Sequence, residues 1–160
     1  MATSPTRPRG VLAVLAIWCL LQLPRLIAVP LIQDVAAGRD DPAWMYPAIL
    51  DVVVAAAAVP VAWLLWRRRG LLPFVAGVVF FVVSIVDHGD AVTAAFLAPT
   101  PHVFGGPDGG ASGRVVPAVQ AVIDVVALVL LTRPSVRAWF GVTAQDDGER
   151  AATVRQTTTA

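Results

Sequence analysis

Apolar and polar positions along the chain fall into four long apolar blocks separated by short polar ones. The first block begins at Val11 and runs nearly unbroken to Ile32. The second spans about 43–66, the third 71–98 and the fourth 114–133. Each is close to or above the roughly 20 residues that an α-helix needs to cross the hydrocarbon of a bilayer. The pattern predicts an all-α bundle of four transmembrane helices forming one integral membrane domain over 1–140. The polar stretch 141–160 reads as a disordered tail.

Breaks inside the blocks are local. Gln22, Pro24 and Arg25 interrupt the first, where the proline removes a backbone donor and frees the Leu20 carbonyl. Pro47 suits the first turn of the second helix, whereas Pro60 predicts a kink. Ala55–Ala58 forms a small-residue surface on which a neighbouring helix can approach. The loop 99–113, rich in glycine and proline, reads as a connector that can roof a site with His102 and Phe104. It lacks the Lys-Ser/Thr of a phosphate loop. Residues 135–140, with Arg137, Trp139 and Phe140, suit the membrane surface.

Composition agrees with a membrane solvent. Hydrophobic residues make up 57% and charged residues 14%, against about 25% charged in soluble domains. There is no lysine, and 12 arginines nearly balance 11 acids, so no basic footprint for nucleic acid is present. The single cysteine, Cys19, allows no intrachain disulfide and reads as a packing residue. The first block is 22 residues long, beyond the 7–15 of a signal-peptide core, which favours an uncleaved helix. Arginines outside the helices divide nine to two between the two sides, counting Arg39 and Arg114 on the minor one. Arg67-Arg68-Arg69 marks the sharpest boundary. This bias predicts a multi-pass protein of the cell membrane with both termini cytoplasmic.

The chemistry lies in charges that break the apolar blocks. Each block holds at least one: Arg25, Asp51, then Asp87 with His88 and Asp90, then Asp124. At about 1.5 Å per residue from the arginine-rich edge, Arg25, Asp51 and Asp87 fall at one level, roughly 24 Å in, and Asp124 at about 14 Å. Unpaired burial of the set would cost on the order of 12–18 kcal/mol, so the groups are expected to face one another or water. Ser84, Asp87 and His88 share one helix face, as do Gln120 and Asp124, with Asp90 about 60° round from Asp87. Gln22, Ser84 and Gln120 are supporting polar groups. A faint echo links Ile49-Leu50-Asp51-Val52-Val53 to Val122-Ile123-Asp124-Val125-Val126.

With all four carboxylates ionised, Arg25 leaves the cluster at a formal −3, which calls for protons or a bound cation. Three classes of function follow. The cluster binds or moves a cation, a proton or a cationic small molecule. Alternatively, the Arg/Asp pairs only fix helix packing in a structural or accessory subunit. As a third class, Asp87, His88, Asp90 and one of Asp51 or Asp124 hold a metal for chemistry at the outer leaflet. Beyond the lipid bilayer, the expected partners are a second copy or another membrane subunit, because four helices enclose little volume alone. No serine-hydrolase motif is present, since Ser112 lacks a preceding strand.

Overall fold

The structure is a computed structural model that describes residues 6–105 and 112–142. The centre of the loop 99–113 and the tail from 143 onward, both singled out in the sequence, lie outside the described residues. Every regular element among those described is helical: α1 (Arg9–Leu20), a 3₁₀ segment (Leu23–Ile27), α2 (Ala28–Ala36), α3 (Met45–Arg67), α4 (Leu71–Leu97), α5 (Ser112–Leu131) and α6 (Pro134–Trp139). Four spans are long and apolar enough to cross a membrane: Arg9–Ala36, Pro42–Arg67, Leu71–Leu97 and Arg114–Leu131.

The first span departs from a single helix. Pro24 cannot continue the ladder, and the chain tightens into a 3₁₀ turn in which the Arg25 N–H bonds the Gln22 carbonyl at 3.1 Å. The helix then resumes as α2 and continues to Ala36, four residues past the apolar block. Pro60, by contrast, sits inside α3 without ending it.

Two glycines matter to the packing. Gly70, at φ 103°, allows the abrupt turn from α3 into α4. At Gly77 an added Cβ would lie 3.0 Å from both Leu65 and Leu131, so α4 approaches α3 and α5 closely there. Asp41 caps the entry to the second span by accepting from the Ala43 N–H at 2.8 Å. Ala55 and Ala58 are buried, consistent with a close helix contact.

Buried apolar side chains form two groups. One, at the arginine-rich end, includes Leu12, Leu15, Leu65, Phe80, Phe81 and Leu131, closed off by Val136 and Phe140 around α6. The other, at the opposite end, centres on Ala28, Leu31, Trp44, Ala48 and Ala94. On the first three spans the polar positions fall between the two. Cys19 precedes and Ala28 follows Arg25, just as Phe81 precedes and Ala94 follows Asp87. The outward faces stay apolar and exposed, as at Ile17, Val53, Val79 and Val122, which suits contact with lipid.

Candidate functional site

Arg25 is the centre of the polar layer, carried inward by the 3₁₀ turn rather than by a helix face. Its Nε donates to Gln22 Oε1 at 2.8 Å. Nη1 pairs with Asp87 Oδ2 and lies 3.2 Å from Asp51 Oδ1. Nη2 donates to Ser84 Oγ at 2.7 Å and stands 3.8 Å from Asp124 Oδ2. One guanidinium thus faces three carboxylates, one from each of the other three spans.

Asp124 is enclosed on all sides. Its Oδ1 accepts from Trp18 Nε1 at 2.6 Å and from the Gln22 amide at 3.1 Å, and its Oδ2 accepts from Ser84 at 2.7 Å. His88 Nδ1 lies 3.1 Å from the same Oδ2 and is the nitrogen placed to donate. His88 Nε2 lies 2.6 Å from Arg25 Nη2 and 3.1 Å from Gln120 Oε1. The Asp124 side chain has no exposed surface.

Asp51 has the opposite setting. Its side chain is 23% exposed, its ion pair is with Arg25, and its carboxyl lies within hydrogen-bonding reach of that of Asp87. It opens into a pocket of about 310 Å³ that also meets Asp87, His88, Gln120, Trp44 and Phe104. Asp87 is 1% exposed, and its Oδ1 is buried with no hydrogen-bond partner among the described residues. A buried carboxylate oxygen without a donor costs about 1–3 kcal/mol or more, so this atom marks an unmet demand beside the pocket.

At the end away from the arginines, Trp44 and Phe104 also line the pocket. Trp44 donates from Nε1 to the Pro99 carbonyl at 2.9 Å, and Phe104 meets the Trp44 ring edge-on at 6.5 Å between centroids. His102 is tied to Asp40, with Nδ1 2.8 Å from its Oδ1.

Of the residues singled out by sequence, Arg25, Asp51, Asp87, His88 and Asp124 meet in one layer with Gln22, Ser84 and Gln120. Asp90 does not join them. It is half-buried, makes no side-chain hydrogen bond or ion pair among the described residues, and does not line the pocket. Its position round the helix from Asp87 turns it away, and with α4 running on to Leu97 it is no helix cap either. Ser84 and His88, on the same face of α4, both turn to Asp124 rather than to each other. Asp124 remains deeper than Asp51, contacting Trp18 and Gln22 about a turn before Arg25.

Trp18 is the member that sequence reasoning missed. Its spacing was the available signal: Trp18, Gln22 and Arg25 stand at i, i+4 and i+7, a single helical stripe. Comparison with protein-family models, with curated proteins and with solved structures finds no match, so the functional reading rests on this geometry.

Proposed function

We propose that the pocket over Asp51 and Asp87 binds a positively charged group, either a proton or the cationic head of a small organic solute, in a multi-pass membrane protein. The observation that carries the reading is the carboxylate excess at the floor of an otherwise apolar pocket. Asp51 is partly exposed there, Asp87 Oδ1 has no hydrogen-bond partner among the described residues, and three acids face Arg25 and the single imidazole of His88. Trp44 and Phe104 add aromatic surface at the mouth, a setting that favours an organic cation over a hydrated metal ion. With both termini on the cytoplasmic side, as the arginine bias argues, the pocket opens to the outside.

The test is equilibrium binding of tetraphenylphosphonium to the purified full chain in detergent. Saturable binding that weakens at least about ten-fold in Asp51→Asn supports the reading. Unchanged binding in that variant overturns it. Uptake of the same cation into vesicles carrying the protein separates movement from binding alone.

A second reading has its own support. Each Arg25 nitrogen is already engaged, Nε by Gln22, Nη1 by two aspartates and Nη2 by Ser84, as a purely structural pin would be. In that case Asp51→Asn and Asp87→Asn change stability and nothing else. The metal reading has less behind it: among the described residues no group of three His, Cys, Asp or Glu is arranged around a common point.

A further inference from the structure

The end of the bundle away from the pocket gathers arginines, with no acid beside them among the described residues. Seven described arginines lie there, contributed by the chain start, the α3–α4 turn and α6. Every described aspartate lies at the Arg25 layer or beyond it, and none of these seven forms an ion pair among the described residues. Six of them are exposed and Arg7 is half-buried.

Three tryptophans hold part of this set in place. Arg7 donates to the Trp66 carbonyl, with its guanidinium 4.4 Å from the Trp66 ring centre and 5.7 Å from that of Trp139. Arg69 lies 3.5 Å from the same Trp139 ring centre, and Arg68 4.9 Å from that of Trp63. Two guanidiniums therefore share one indole with no described carboxylate to neutralise them. Arg7 Nε is buried and unpartnered as well. Both guanidiniums keep their full charge beside one ring, and an anion bound at this end of the bundle lowers the electrostatic cost of gathering them.

We propose that this arginine and tryptophan cradle, built around Arg7, Arg69 and Trp139, binds the phosphate of an anionic phospholipid headgroup. Several observations favour lipid phosphate over phosphate in solution. The cradle sits where the apolar spans end, α6 lies across that end with Val136 and Phe140 buried against it, and the tryptophans suit the headgroup level. The site is remote from the pocket and does not depend on its function.

The test reconstitutes the full chain in vesicles of phosphatidylcholine mixed with phosphatidylglycerol, extracts it in mild detergent and measures the lipid that stays bound. Phosphatidylglycerol enriched over its share of the vesicle is the expected result. Arg7→Gln with Arg69→Gln should reduce that enrichment at least about five-fold, while Arg133→Gln, outside the cradle, reduces it less. Absence of enrichment in the unmodified chain overturns the proposal without reference to any variant. It is equally overturned if the double variant retains full enrichment, or if millimolar inorganic phosphate displaces the lipid, which would make the site one for the free ion. A variant that fails to fold is replaced by Trp139→Leu, which keeps both charges and should lose the selectivity with the ring that orders them.

Discussion

Asp51 and Asp124 sit in similar pentapeptides, Ile-Leu-Asp-Val-Val and Val-Ile-Asp-Val-Val, yet the fold treats them differently. Asp124 has no exposed surface and receives the Trp18 indole, the Gln22 amide and the Ser84 hydroxyl, with His88 beside it. Asp51 keeps 23% of its side chain open and has Arg25 as its one donor, with the Asp87 carboxyl beside it. Local sequence therefore does not decide what a buried carboxylate is for; the number of donors arriving from other helices does. A carboxylate with three or four donors has no capacity left for a ligand, whereas one with a single donor beside an apolar pocket retains it.

This contrast can be broken by substitution. Asp124→Ala should produce the largest loss, about 3–5 kcal/mol, because it strands several buried donors at once. Thermal or denaturant unfolding in detergent reads it directly. Ser84→Ala should follow at about 1–2 kcal/mol, since it removes one donor to Asp124 and one acceptor for Arg25. Asp51→Asn should cost less than about 1 kcal/mol, its partial exposure screening the charge, while abolishing most cation binding. A loss in Asp51→Asn as large as that in Asp124→Ala would end the distinction drawn here. Asp90→Asn should be smallest, within about 0.5 kcal/mol and without effect on binding.

Much of this arrangement was legible in advance, for reasons of cost. Four apolar blocks stand out because the bilayer demands length and punishes charge. The convergence of Arg25, Asp51, Asp87 and Asp124 follows because isolating them would be too expensive. Asp90 was read with its neighbours because sequence distance is a poor guide to direction once a helix turns 100° per residue. Trp18 stayed hidden because a tryptophan in an apolar stretch looks the same whether it faces lipid or donates inward. Pro24 announced a break, but not that the break would be a 3₁₀ turn able to deliver a guanidinium to the bundle axis. The arginines at the far end read as a topological signal, and only the folded chain shows Arg7 and Arg69 beside one ring.

The Arg25 turn also bears on how the protein is made. Its guanidinium is synthesised with the first apolar segment, but the aspartates that face it arrive with the second, third and fourth. Until α5 is synthesised, Trp18, Gln22 and Ser84 lack the acceptor they share. A chain halted after α4 is thus left with donors unmatched in apolar surroundings, and such a fragment should be markedly less stable than the whole chain.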